Sequence, residues 1–316
     1  MKTILLFFAG FLMLQVQAQQ TKITLIHNFK GKIDQYPVEI NLRSNLQNDT
    51  ITGSYYYTKK GRDKNIFLEG TLKNNTLTLK EVVYTTLNGN SIKKTSGNFK
   101  LLLNRNNWNL NGNWFSPDRQ KQYQVNLISR EAPQKNDPSK NSYRSTIYQS
   151  ETEGLYAETK KTNKIRSFEI SDSNGNLIQK ITSLDQCISD HQVEIEFEDL
   201  NFDGILDLKI LKIFPDRIKN DYAFLYFIYN PETKKYVRNS KLETLEVLSF
   251  EPANKVMVRY EADGRGNEST FNYKWEANEP FLIKKETSFE NDSYTYYTEY
   301  QIIGRKSVKV KEYKKK

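Results

Sequence analysis

The strongest constraint on the fold is a series of short apolar–polar alternations, interrupted roughly every twelve residues by turn residues. Residues 38–43 alternate, Asn48-Asp49 leads into 51–58, and Lys60-Gly61 marks the next turn. Residues 65–72, 76–84, 97–103, 108–115 and 123–128 continue the series, with Asn74-Asn75 as one of its turns. A side-chain period of two places alternate residues on opposite faces, and β-branched and aromatic residues suit such a surface. Helical periodicity is absent. The first half therefore predicts an antiparallel meander, closed as a barrel or folded as a sandwich, that buries its alternating face.

Residues 131–143 contain Pro133, Pro138 and several Asn, Lys and Ser, which predicts a linker. Strands resume at 164–170 and 176–181, around a hairpin whose Asn174-Gly175 suits positive φ. Residues 183–190 read as one short helix. Further strands are expected at 193–197, 208–214, 224–229, 242–250, 255–262, 268–276, 281–289 and 293–303. The organisation is all-β with two domains. A basic meander at 19–130 and a linker at 131–145 precede a second antiparallel β domain at 146–304 and a basic tail at 305–316.

Residues 1–18 are set apart as an expected secretory signal peptide. Lys2 supplies a positive start, residues 4–14 are almost wholly apolar, and Val16-Gln17-Ala18 resembles a small-x-small cleavage site. The apolar run is shorter than the roughly 20 residues of a membrane span. An Ala-Gln-Gln junction resembles exported proteins of Gram-negative bacteria. No cysteine stands at that junction, so the expectation is a periplasmic or secreted protein, not a lipoprotein, with no transmembrane segment after cleavage.

Composition narrows the chemistry. A single cysteine, Cys187, excludes a disulfide framework and a cysteine-built zinc site. That thiol is expected buried and reduced, or paired to another chain. Two histidines, His27 and His191, leave little for imidazole catalysis. Residues 19–130 carry 17 Lys+Arg against 7 Asp+Glu, whereas 131–316 carry 29 against 31. A basic half of this kind meets envelope anions or an acidic partner, or serves solubility alone; for an exported chain no nucleic acid is expected.

The sharpest motif is Asp199-Leu200-Asn201-Phe202-Asp203-Gly204-Ile205-Leu206-Asp207. Its D-x-N-x-D-G-x-x-D spacing places oxygens at alternate positions of a coiling loop, with Gly at the sharp turn. Asp199, Asn201, Asp203, the Ile205 carbonyl and Asp207 are the candidate ligands, directly or through water for Asp207. Hard oxygen donors suit Ca²⁺. The twelfth position is Ile210 and the flanks read as strands, so the site is expected to be strand–loop–strand, with Glu196 or Glu198 completing the shell. The alternative is an Asx-rich turn with no ion.

This loop, followed by Asn220-Asp221-Tyr222, an aromatic strand at 224–229, Asn230-Pro231 and Lys234-Lys235-Tyr236-Val237, resembles the calcium-binding periplasmic lysozyme-inhibitor family over roughly residues 145–280. Those proteins are immunity proteins that neutralise peptidoglycan-cleaving glycoside hydrolases. The resemblance implies Asp199, Asn201, Asp203 and Asp207 as calcium ligands. It also implies a partner-facing loop at 214–222, with Asn220 and Tyr222 as candidate contacts. The first half, with Gly53-x-Tyr55-x-Tyr57, Leu68-x-Gly70 and Gly112-x-Trp114, resembles β modules of secreted bacterial proteins.

Three further features have two readings each. Glu194, Glu196 and Glu198 share one strand face, as a carboxylate pair of a glycosidase or as a solvent face. Tyr55-Tyr56-Tyr57 and the tyrosines of 294–300 suit sugar stacking or cross-strand packing. The tail holds seven basic residues against one Glu, as an anion contact or a frayed end. The resulting expectation is a non-enzymatic exported calcium protein that binds and inhibits a lysozyme-type glycoside hydrolase; the alternative is an envelope glycan-binding or adhesion module.

Overall fold

A computed structural model describes residues 21–87, 90–154, 156, 158–188, 192–217 and 221–316. The expected signal peptide, His191 and Asn220 lie outside the described residues. The protein is all-β. Eight antiparallel strands come first: β1 (Thr21–Ile33), β2 (Tyr36–Asn45), β3 (Thr50–Tyr57), β4 (Ile66–Lys73), β5 (Thr76–Leu87), β6 (Asn90–Leu103), β7 (Leu110–Phe115) and β8 (Gln122–Ser129). Each pairs with the next, and β1 closes the barrel by pairing with β8 from Phe29↔Ser129 to Ile33↔Val125. Closure brings backbones together at Gly31, where a Cβ would lie 2.0 Å from the Asn126 carbonyl oxygen. Closing the sheet on itself removes its exposed edges. Phe29, Ile40, Tyr55, Leu79, Phe99 and Val125 are among the residues that fill the interior.

The meander at 38–128 was expected; β1 was not. Its first half belongs to a second assembly and its second half to the barrel, so both faces are covered. Ile23, Leu25, Ile26 and Phe29 are all buried, and the alternation that betrays a half-exposed strand is erased.

The second half of the chain adds β9 (Ser142–Glu153), β10 (Thr159–Ser171), β11 (Leu177–Cys187), β12 (Val193–Glu198), β13 (Asp207–Ile213), β14 (Tyr222–Asn230) and β15 (Lys235–Arg238). β12 pairs in parallel with β1, from Thr21↔Val193 to Leu25↔Phe197, and β13, β14 and β15 follow as antiparallel neighbours. The barrel sheet thus continues into four strands of the second half. The β9–β11 sheet covers one face of this extension, over a core that includes Phe168, Phe197, Leu208, Leu225 and Tyr236. A short helix, α1 (Ser240–Glu243), and a six-stranded sheet cover the other face. That sheet comprises β16 (Ser249–Glu251), β17 (Val256–Ala262), β18 (Glu268–Glu276), β19 (Glu279–Ser288), β20 (Thr295–Ile303) and β21 (Lys306–Lys315). Leu200, Tyr226, Leu242, Phe250 and Met257 form this second core. Leu225 and Tyr226 enter different cores because adjacent strand residues point to opposite faces.

Several expectations need correction. Residues 183–188 do not form a helix, and the last two residues of the expected helix, 189 and 190, lie outside the described residues. β11 runs to Cys187, held by Ile165↔Gln186 and Lys164↔Cys187, and a bulge with positive φ at Ser183 and Asp185 turns Leu184 into the core. Residues 242–250 are not one strand. Asn239 caps α1 by accepting from Leu242 N, and only Ser249–Glu251 pairs as β16. The tail at 305–316 is not frayed, because β21 pairs with β20 along its length, with Lys314 and Lys315 over the Tyr294 and Tyr297 rings. Residues 131–143 carry buried Glu131, Pro133 and Pro138, and form a packed wedge where a linker was expected. Cys187 is free and half-buried, its Sγ 3.9 Å from Thr162 Oγ1.

Candidate functional site

The residues of the D-x-N-x-D-G motif form the loop between β12 and β13, as the strand–loop–strand reading expects. Asp199 folds the chain back on itself: its Oδ1 accepts from Asp203 N and its Oδ2 from Gly204 N. Asn201 Oδ1 also accepts from Asp203 N, and Asp203 Oδ1 accepts from Ile205 N. Gly204 sits at φ 81, where a side chain would be strained. Asp207 faces the other way. Its Oδ2 accepts from Leu200 N at 2.9 Å and its Oδ1 from Tyr229 N at 2.7 Å, which ties the loop to β14.

The electrostatics are one-sided. Burial, with the Asp203 charge adding to it, pushes the Asp199 carboxyl up to about 7 against the N–H groups it accepts. Burial drives Asp207 well above its ordinary value, and the Asp199 charge contributes. Neither carboxylate has a basic side chain as an ion-pair or hydrogen-bond partner among the described residues. Among the described residues, no three His, Cys, Asp or Glu side chains group as metal ligands. The oxygens that a hard cation could use are those of Asp199, Asn201, Asp203 and the Ile205 carbonyl; Asp207 points away from them to Leu200 N and Tyr229 N, and Asp199 itself accepts from Asp203 N and Gly204 N. An oxygen-only set around uncompensated buried charge suits Ca²⁺.

Glu131, from the presumed linker, explains how the two assemblies meet. β12 pairs with β1 as far as Leu25, and β8 begins at Phe29. Asn28 lies at this fork. The Glu131 carboxylate substitutes for the missing strand, accepting from Asn28 N at 3.0 and 3.1 Å and from Asn28 Nδ2 at 3.0 Å. Ala132 N then donates to the Gly204 carbonyl at 2.7 Å, clamping the wedge to the loop. Burial pushes the Glu131 carboxyl up to about 8 despite these donors, and the Asp199 charge adds to the rise.

Glu194, Glu196 and Glu198 share a face, as alternation requires, but that face is not a solvent face. Lys209, directly across from Glu196 in the β12–β13 register, is buried between two of them. Its Nζ lies 2.8 Å from Glu196 and 2.5 Å from Glu198, and 5.0 and 5.5 Å from the Phe224 and Phe250 rings. Arg43 pairs with Glu196 from the barrel side. Burial opposes charge at both positions, yet Glu198 and Glu196 hold the Lys209 ammonium above its ordinary range. Burial is likewise outweighed at Glu196, where Lys209 and Arg43 hold the carboxyl below its ordinary range. Glu196 and Glu198 are thus committed to a cation of the chain itself, and neither faces an ion in the loop.

This cluster forms the base of a cleft of about 710 Å³ between the barrel and the β13–β16 region. Tyr56, Tyr222 and Phe224 wall it, with the Arg62–Glu251 ion pair at its edge. Tyr222 is half exposed there, its ring 6.0 Å from Phe224. Phe202, inside the loop, packs 6.3 Å from Phe250, so the loop backs the cleft. The tyrosine triplet divides: Tyr55 is interior, and Tyr56 faces the cleft. Sequence reading missed Lys209 and Glu131. Lys209 carried a signal, since an antiparallel partner of Glu-x-Glu-x-Glu that bears a lysine on the same face predicts cross-strand pairing; Glu131 carried none.

No family model matches the chain, and no curated protein matches it. Among solved structures, one described as a Xanthomonas type IV secretion system related protein is similar at 14% identity, with a TM-score of 0.40, over 56% of this chain and 95% of that one. A likeness at that level carries no argument about function. No helix among the described residues is long and apolar enough to cross a membrane.

Proposed function

We propose that the chain is a non-enzymatic, exported binding protein. In this reading Ca²⁺ at Asp199, Asn201, Asp203 and the Ile205 carbonyl stiffens the loop behind the cleft, and the cleft receives the partner. The observation that carries the reading is the set of buried loop carboxylates without a basic side chain beside them. A divalent cation offsets their mutual repulsion and their burial, and fixing the loop in advance lowers the ordering cost of binding. Glu196 in the cleft is a poor source of a proton for acid catalysis, because Lys209 and Arg43 hold its carboxyl below the ordinary range.

Calorimetric and melting titrations test the ion. Strand–loop–strand sites of extracellular proteins bind at about 10⁻⁴–10⁻³ M. Near 10 mM Ca²⁺ the intact protein should therefore gain about 1.4–2.7 kcal/mol of stability. Asp203→Ala should gain nothing, and equal heats or equal melting shifts in the two proteins would refute the site.

The partner we propose is a lysozyme-type glycoside hydrolase. Support comes from the motif order at 199–237 and from the half-exposed Tyr222 at the cleft. Assay of the purified protein against a panel of lysozymes should show stoichiometric inhibition, weakened by Tyr222→Ala. A second reading, an envelope glycan-binding module, is favoured by Tyr56 and Tyr222 standing beside Arg43 and Arg62 in one cleft. Retention on peptidoglycan without inhibition of any lysozyme would select that reading.

A further inference from the structure

The eight-stranded barrel is filled unevenly. Towards one end its interior is solid: Tyr55 packs on Phe99 at 5.8 Å, and the buried Glu81 carboxylate accepts from Tyr55 OH, Ser96 Oγ and Trp114 Nε1 at 2.5, 2.8 and 2.6 Å. Gly97 admits this network, since a Cβ there would lie 2.3 Å from Trp114 Nε1. The other end, ringed by the β2–β3, β4–β5 and β6–β7 turns, holds a cavity of about 560 Å³. That volume is in the range of small-molecule sites, which occur preferentially in places such as barrel mouths.

The cavity has two chemical zones. Its depth is apolar, with Phe29, Leu42, Ile51, Leu77 and Leu110 on the inner faces of five strands. Leu25, His27 and Trp108 form one wall, with His27 edge-on to Trp108 at 4.7 Å. Burial pulls the His27 imidazole down to about 4, so this wall is uncharged at neutral pH. The rim is polar and includes exposed Lys73 and Arg105. Arg105 donates to Asn75 Oδ1, and among the described residues neither cation is in an ion pair. Asp49 is the single acid at the rim, in a half of the chain with 17 basic and 7 acidic residues.

We propose that this end of the barrel binds a single-chain anionic amphiphile of the fatty-acid class, its tail among Phe29, Leu42, Leu77 and Leu110 and its carboxylate at Lys73 and Arg105. Burying the tail removes apolar surface from water on both partners, which favours the complex. The rim cations then select for charge on the head group, a task to which exposed ion pairs contribute modestly. This site is separate from the cleft and the acidic loop, and it stands or falls independently of them.

The test uses the full chain with dodecanoate and dodecanol, each below its aggregation threshold. Calorimetry should show saturable binding of dodecanoate, accompanied by a shift of tryptophan emission, because Trp108 lines the cavity. Leu77→Trp should abolish binding by filling the space. Because that substitution sits in the core, the exposed double variant Lys73→Glu/Arg105→Glu provides a second arm. It should weaken dodecanoate at least about tenfold and leave dodecanol within about twofold. Absence of saturable binding by both ligands would overturn the proposal, as would an equal loss for both in the rim variant. Sedimentation with anionic phospholipid vesicles in place of soluble dodecanoate binding would also overturn it, by assigning the rim charge to a membrane surface.

Discussion

Replacing Lys209 by methionine is expected to cost about 3–5 kcal/mol of stability, read as a drop in the urea midpoint at constant slope. Lys209 lies in the hydrophobic layer between the barrel extension and the Phe250 core, and it is the cation that Glu196 and Glu198 share. Methionine fills a similar volume, so the loss reports charge and not a cavity. Removing the ammonium leaves Glu198 buried without its ion-pair partner, whereas Glu196 keeps Arg43. The triple variant Lys209→Met/Glu196→Gln/Glu198→Gln should recover most of the loss, because an uncharged layer has no buried ion to solvate. A single-variant loss below about 1 kcal/mol would mean that water reaches these carboxylates and that the layer is not dry.

Glu131→Gln is expected to change the pH dependence of stability. Burial raises the Glu131 carboxyl from 4.5 to about 8 in the folded chain. Between those values the folded protein holds a proton that the unfolded chain has released. Stability therefore falls as pH rises, by about 1.4 kcal/mol per pH unit from this group. Across the window the contribution is roughly 3–5 kcal/mol. Asp199 acts in the same direction up to about 7. His27 acts in the opposite one, because its lowered value costs stability as pH falls from 6.5 towards about 4. Comparing the two proteins in chelator cancels the His27 contribution, whereas Asp199, whose charge is coupled to Glu131, belongs to the same response. At pH 5 they should be close in stability. By pH 9 the glutamine variant should be the more stable by several kcal/mol, having no charge to bury. A difference that stays constant from pH 5 to 9 would show that Glu131 is solvated and does not seal the fork at Asn28.

How much was legible follows from the range of the forces involved. Alternation over a few residues located β2, β3, β4 and the hairpin at Gly175, because strand periodicity and turn chemistry act within a few bonds. The same locality explains the errors. Residues 242–250 are apolar enough for a strand, but the Asn239 cap and the packing of Leu242 place one helical turn there first. Residues 183–187 lose their helical option to pairing with β10, a partner the local sequence does not reveal. The acidic loop was legible as a strand–loop–strand turn because its Asx residues and its Gly lie within nine residues. Its surroundings were not. The carboxylates expected to complete its shell, Glu196 and Glu198, turn to Lys209, and a third, Glu131, arrives from a segment that reads as a linker.

By itself the sequence determined an all-β chain, a basic first half and an oxygen-lined loop between two strands. Each of these depends on side-chain period, composition or spacing within a short window. Only the tertiary structure decided that β1 belongs to two assemblies, that Lys22 meets Glu194 across 172 positions, and that one end of the barrel is solid while the other is hollow. Long-range strand pairing is selected by which faces can be buried together and which charges can be matched once the chain is compact. Neither quantity exists until distant segments are brought side by side.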